Sequence, residues 1–204
     1  TALDDISLTV PRGGVFGLVG ENGAGKTTLI RHILGLLHAE RGSVRVFGMD
    51  PVAAPQAVLA CIGYLSEDRD LPTWMRVGEL MRYVRAFYPN WDDDYAGRLR
   101  EALDLDPKAK LGELSRGQLA KAGLLAALAH RPDLLLLDEP SSGLDALAHR
   151  DILSAVIRTA ADEGRTVLFS SHLLHEVERV ADWVAMLVKG RVVFRAPMDA
   201  VKEG

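Results

Sequence analysis

The chain predicts an α/β fold in which alternating strands and helices are interrupted by a mostly helical insert. Three observations predict it. Gly20-Glu21-Asn22-Gly23-Ala24-Gly25-Lys26-Thr27 fits the P-loop pattern G-x-x-x-x-G-K-S/T, with an apolar strand candidate before it and a helical apolar pattern after it. Leu134-Leu135-Leu136-Leu137 is a fully apolar strand candidate that ends in two carboxylates, Asp138 and Glu139. Between them, from about Asp68 to His130, the strand signals stop and helical ones take over.

In chain order, Ile6-Ser7-Leu8-Thr9-Val10 alternates as a half-buried strand does, and Pro11 to Gly14 turns it into Val15–Val19, the strand that feeds the P-loop. Thr28–Leu37 carries the first helix. Glu40–Ser43 is a turn, Val44–Gly48 a strand candidate, Pro51–Leu59 a short helix and Ile62–Leu65 a buried strand. The insert brings Trp74, Tyr83, Phe87, Tyr88 and Trp91, expected mainly as core with a few exposed for a partner. Asp92-Asp93-Asp94 invites a metal reading, but three adjacent side chains splay apart, so capping and dipole complementation explain them better. After Asp133 the expected order is strand Leu134–Leu137, helix Ala146–Ala160, strand Thr166–Phe169, helix Leu173–Val180, and strands Val184–Val188 and Val192–Phe194.

The 204 residues are 48% hydrophobic and 25% charged, which allows one large domain with a real core. A net charge of −4 gives no basic field for nucleic acid or an anionic membrane. The one cysteine, Cys61, forms no intrachain disulfide, and it sits in an apolar run that suits a structural thiol. No apolar stretch is long enough to cross a bilayer, and nothing resembles a signal peptide. A chain that opens at Thr1 in strand-like sequence is expected to lack its natural start.

The P-loop residue types follow from phosphate chemistry. Gly20, Gly23 and Gly25 allow backbone angles that aim successive N–H groups at one anion. The helix opening at Lys26 adds unpaired N–H groups and the positive end of its dipole. Lys26 supplies a mobile charge for the β- and γ-phosphates, and the Thr27 hydroxyl suits Mg²⁺. Glu21, Asn22, Ala24 and Thr28 complete the phosphate-binding stretch. Asp138 stands where a strand end faces the ligand crevice and would hold Mg²⁺ from the second shell. Glu139, one residue on, can orient the attacking water or accept its proton. Ser115 with Gln118 forms a capping box, and with the Gly117 N–H and a helix dipole it makes a second anion site.

Gly20–Thr27, Leu114–Gln118, Leu134–Pro140, Ser142–Asp145 and Ser171-His172, in this order, resemble the nucleotide-binding domain of an ABC transporter, and the likeness spans nearly the whole chain. It is similar to the bacterial exporter subgroup with a separate ATPase subunit. The resemblance implies a P-loop core with a mixed sheet, an N-terminal antiparallel β-subdomain and a helical insert, with residues 1–67 and 131–204 as catalytic core and 68–130 as helical subdomain. It implies Mg²⁺-dependent ATP hydrolysis in a head-to-tail dimer, in which the signature Ser115, Arg116, Gly117 and Gln118 of one copy would close over the γ-phosphate held by Lys26 of the other. Asp145 would be the D-loop residue linking the sites, and His172 the switch histidine that works with Glu139. A separate transmembrane permease would hold the chain at the inner face of the membrane.

Three departures from the family pattern stand out. Arg116 replaces a glycine, though its N–H survives. Ser66-Glu67 replaces the usual Gln, so Glu67 is expected to ligate Mg²⁺ while lowering ATP affinity by repulsion. No aromatic precedes Phe16 to stack on adenine; either it lies upstream of this chain or the site reads mainly phosphate. Two other classes share the fold. ABC-type ATPases of DNA repair need a long coiled-coil insertion, and those of the ribosome usually carry two cassettes. A module that binds ATP without cleaving it is disfavoured by intact Glu139 and His172.

Overall fold

The structure is a computed structural model that describes residues 3–89, 91–161 and 164–202. Among these, six strands form one sheet in the order β2-β3-β4-β1-β5-β6. The strands are β1 (Gly14–Val19), β2 (Ile62–Leu65), β3 (Leu134–Asp138), β4 (Thr166–Ser171), β5 (Trp183–Val188) and β6 (Arg191–Pro197). β1 to β5 pair in parallel and β6 returns antiparallel to β5, so the sheet is mixed. The return is a two-residue turn at Lys189 (φ 47°) and Gly190 (φ 78°), the left-handed pair that a tight hairpin requires.

Strand alternation divides the core into two layers. Val15, Val19, Leu135, Leu137, Val167 and Phe169 face one side. There they meet α5 (Arg116–Leu128), α6 (Ala146–Ala161) and α7 (Leu174–Val180). Phe16, Leu18, Leu134, Leu136 and Leu168 face the other side, with Ile30 of α1 (Lys26–Ile33) and Val58 of α2 (Pro55–Ala60). Every residue of β3 is buried, as a parallel strand covered on both faces should be.

The parallel arrangement brings three strand ends to one edge of the sheet. The P-loop leaves β1, Asp138 and Glu139 end β3, and His172 follows β4. That edge is where an α/β sheet presents its ligand crevice.

The insert holds α3 (Val77–Arg85), α4 (Asp93–Ala102), a 3₁₀ turn at Leu111–Glu113, and α5. Asp92 caps α4, its Oδ1 accepting from the Tyr95 N–H at 2.8 Å. Asp93 instead pairs with Arg85 at 2.9 Å and accepts from Trp91 Nε1. Asp92 thus caps the helix as expected, and Asp93 and Asp94 lie in its first turn, where carboxylates complement the dipole. Tyr88 stacks on His130 with ring centroids 3.9 Å apart, tying the segment after α3 to the end of the insert beyond α5. Trp74, Tyr83 and Phe87 are exposed.

Several elements differ from the sequence expectation. Ile6, Leu8 and Val10 turn inward and Ser7 and Thr9 outward, as the alternation requires, but the segment forms no strand ladder. Its apolar side packs on the core, and just before it the Asp4 N–H donates to the Gly190 carbonyl at 2.8 Å. Val44–Gly48 is not a strand either. Phe47 (φ 51°) and Gly48 (φ 84°) form a tight turn in which Val46 and Met49 exchange both backbone bonds. The antiparallel N-terminal β-subdomain is therefore reduced, among the described residues, to this single bridge. α1 stops at Ile33, before Gly35 in the left-handed region (φ 72°) ends the run. α2 begins at Pro55 rather than Pro51, because Pro55 has no N–H to give the Pro51 carbonyl and so cannot sit inside a helix begun there. A last helix, α8 (Met198–Lys202), was not expected.

Candidate functional site

The loop from Gly20 to Gly25 is shaped by close approach and by backbone angle. A Cβ on Gly20 would lie 2.4 Å from the Leu187 carbonyl oxygen, so the end of β5 leaves no room for a side chain. Gly25 precedes α1 at φ 111°, which an L side chain rarely adopts. The first helical bond runs from the Leu29 N–H to the Gly25 carbonyl, so the N–H groups of Lys26, Thr27 and Thr28 precede the helical ladder. Thr27 and Thr28 are half-buried in this first turn, while Glu21, Asn22 and Gly23 are exposed and Ala24 is buried.

Lys26 is buried and threads back through the loop. Its Nζ donates to the carbonyls of Gly20 at 2.6 Å and Glu21 at 3.2 Å. The same Nζ lies 3.0 Å from Glu139 Oε1, an ion pair that does not meet hydrogen-bond geometry. Glu139 Oε2 lies 2.8 Å from His172 Nδ1, which must donate because a carboxylate only accepts. Lys26, Glu139 and His172 are thus one connected chain of charge-bearing groups.

Ser170 joins Asp138 to the same cluster. Its hydroxyl donates to Asp138 Oδ1 at 2.7 Å and accepts from the Glu139 N–H at 3.0 Å. Glu139 sits at φ 47°, a conformation costing on the order of 1 kcal/mol or more for a residue with a side chain. Such strain persists where surrounding bonds over-determine it, and here the Ser170 bond and the Lys26 and His172 contacts do so.

Tyr64 on β2 borders Asp138. Its phenol is pushed up to about 12, chiefly by burial and then by the Asp138 charge. The folded chain therefore favours the neutral phenol, a contribution present below the ordinary value near 10. It is lost as pH rises from about 10 through 12. Tyr64→Phe should flatten this alkaline loss of stability, read as thermal midpoint against pH; an unchanged alkaline limb would contradict the assignment.

The signature residues form a second group. Ser115 caps α5, accepting from the Gln118 N–H at 3.2 Å, while Gln118 Oε1 accepts from the Ser115 N–H at 3.1 Å. Ser115, Arg116 and Gln118 are exposed. Gly117 is buried against α6, where an added Cβ would lie 2.7 Å from Ala148 Cβ and 3.6 Å from Asp145 Oδ2. Asp145 in turn caps α6, accepting from the N–H groups of Leu147 and Ala148 at 3.0 and 2.9 Å.

Two residues with no role in the sequence reading connect these parts. Arg69 donates to the Ser142 carbonyl at 2.6 Å and the Pro140 carbonyl at 3.3 Å, linking the segment after β2 to the turn after Glu139. Burial, and then the neighbouring Arg116, lower its pKa, while Glu67 opposes them. Glu67 itself is exposed. Glu176, the second, is buried in α7.

A cavity of about 520 Å³ is lined by Gly20–Ala24, His172 and Met186–Lys189, a size typical of small-molecule sites. A groove of about 200 Å³ on the insert, lined by residues including Arg82, Arg85 and Trp91, lies away from these groups. Among the described residues no three His, Cys, Asp or Glu side chains converge to hold a metal by themselves. Mg²⁺ bound with substrate phosphates needs only one or two protein oxygens. The loop, the lysine and the oxygen donors Thr27 and Asp138 therefore fit a Mg-nucleotide.

Comparison with known proteins agrees. Residues 3–142 match the family model described as ABC transporter. The ABC transporter ATP-binding protein NatA of Bacillus subtilis (strain 168) is 35% identical, over 99% of this chain and 84% of its own length. A solved ATP-binding subunit of an ABC transporter superposes with a TM-score of 0.89 at 29% identity, covering 99% of this chain and 86% of the other. The dimeric structure of MJ0796, a bacterial ABC transporter cassette, shares the fold with a TM-score of 0.86 at 21% identity, covering 97% and 90% of the two chains. The chain belongs to the ABC transporter family and is an ATP-binding ATPase of that family.

Proposed function

We propose that this chain is the cytosolic motor subunit of an ABC transporter, hydrolysing Mg-ATP to energise solute movement through a separate membrane permease. The observation that carries the reading is the connected chain Lys26–Glu139–His172 at the mouth of the P-loop. Gly20 to Thr28 would bind the phosphates, and Lys26 would offset charge on the transferred phosphoryl group. Glu139 would orient the attacking water and accept its proton. With Nδ1 donating to Glu139, a doubly protonated His172 would offer its Nε2–H to the γ-phosphate. Thr27 and Glu67 would ligate Mg²⁺ and Asp138 would hold it from the second shell, and the ion would supply charge neutralisation when bound.

Two copies would act head to tail, the exposed Ser115 group of one closing over the nucleotide of the other across Asp145. Support comes from the exposure of Ser115 and from the dimeric cassette that shares this fold. Residues 68–130 act as a helical subdomain on the catalytic core formed by 1–67 and 131–204. Exposed Trp74, Tyr83 and Phe87 would anchor the permease. No described helix is long and apolar enough to cross a membrane. Attachment would be peripheral, at the inner face, through that permease. Nucleic acid is not an expected partner.

Phosphate release from ATP by the purified chain tests the reading. Release should require Mg²⁺ and stop on chelation. ATP binding with no release under any Mg²⁺ concentration would leave a sensor rather than a motor.

A further inference from the structure

We propose that Glu176 is a positioning residue for hydrolysis, holding the loops of Glu139 and His172 at their working separation. The proposal rests on the roles given to those two residues above. Glu176 is 3% exposed, on a helix whose neighbours Leu174 and His175 face solvent. Ser141 Oγ donates to its carboxylate, 2.8 Å from Oε1 and 2.7 Å from Oε2. Ser171 Oγ donates to Oε2 at 2.7 Å and itself accepts from the Leu173 N–H at 3.0 Å. His149 Nε2, from α6, stands 3.4 Å from Oε1, a close contact outside hydrogen-bond geometry.

The positions of the two serines give this cluster its meaning. Ser141 lies two residues after Glu139, and Ser171 immediately precedes His172. Covalent chain and hydrogen bonds therefore close a ring through Glu139, Pro140, Ser141, Glu176, Ser171 and His172, completed by the 2.8 Å contact between His172 and Glu139. The front of the ring faces the P-loop lysine and the back is the buried carboxylate. If the back opens, the two front residues are free to drift apart. Both hydroxyls donate to Oε2 and Ser141 reaches Oε1 as well, so the cluster is built around a group that only accepts, as an ionised carboxylate does. The burial also argues against an incidental helix-surface acid, since a buried charge is costly unless so bonded.

The test is a mutant cycle read by single-turnover phosphate release and by KM for ATP. Glu176→Ala should lower kcat on the order of 10–100-fold, because small misplacements of reacting groups cost that much. KM should stay within about twofold, since the phosphate-binding loop is untouched. In a His172→Ala background the same change should cost less than about threefold, because the effect acts through His172. A general loss of fold would instead give equal fractional losses in both backgrounds, and that result overturns the proposal, as does a raised KM at unchanged kcat. Should Glu176→Ala not fold, Ser171→Ala carries the same test by removing one bond of the ring. Glu139→Gln run alongside separates the two ideas. If Glu139→Gln still hydrolyses ATP at the parent rate, the proposed function fails. If it is inactive while Glu176→Ala behaves as the parent, only the positioning role fails.

Discussion

Glu139→Gln should slow ATP turnover by at least about 100-fold while leaving nucleotide binding intact. The amide keeps the shape and can still accept from His172, now 2.8 Å from the carboxylate. It loses the basicity needed to take a proton from water. It also releases Lys26, whose Nζ stands 3.0 Å from the Glu139 oxygen. Because phosphates and Glu139 compete for that ammonium, affinity for Mg-ATP should hold or rise. Steady-state phosphate release and equilibrium nucleotide binding on the same preparation read both halves. Turnover within threefold of the parent would remove Glu139 from the chemistry.

Lys26→Ala should have the opposite profile, with binding lost first. A hydrogen bond to a charged group contributes about 1.5–3 kcal/mol, so affinity should drop on the order of 10–100-fold. The fold should suffer as well. Lys26 ties the Gly20 and Glu21 carbonyls to a buried carboxylate, and deleting one partner of a buried ion pair costs about 3–5 kcal/mol. His172 remains as a partner for Glu139, so the loss should sit at or below the lower end of that range. Adding Glu139→Gln to Lys26→Ala should recover part of it, since the stranded charge is then gone. Calorimetry of the single and double variants decides this. A double variant less stable than Lys26→Ala alone would show that the ion pair is not what the lysine stabilises.

The parts of the site that sequence made legible are those encoded within a few residues. The P-loop spacing, the leucine run ending in Asp138 and Glu139, and the Ser115–Gln118 capping box each specify their own geometry locally. Strand identity was clear where a run was apolar throughout, as in β3. It was misleading at Val44–Gly48, because Phe47 adopts a left-handed angle that its side chain does not announce. Ile6–Val10 shows the reverse case, since alternation reports burial on one side and says nothing about a hydrogen-bonding neighbour.

Long-range polar partners were the parts sequence reading missed. Ser170 lies 32 residues from Asp138 and Arg69 lies 73 from Ser142, and no local spacing reports such pairs. Glu176 did leave a trace. It falls at helical spacing with Leu173, Val177 and Val180, so a carboxylate stands on the apolar side of α7 where an aliphatic residue would be ordinary. The glycine at position 17 carries a related signal, because an added Cβ would lie 2.2 Å from Val177 Cγ1, which fixes how closely that helix sits on β1.

The shared clasp on ATP's terminal phosphate is the central claim, and solution mass tests it most directly. Glu139→Gln protein measured by light scattering should double its 22.2 kDa mass when Mg-ATP is added and return to it when Ser115→Arg is introduced as well. A mass that stays at 22.2 kDa under saturating Mg-ATP would contradict the account.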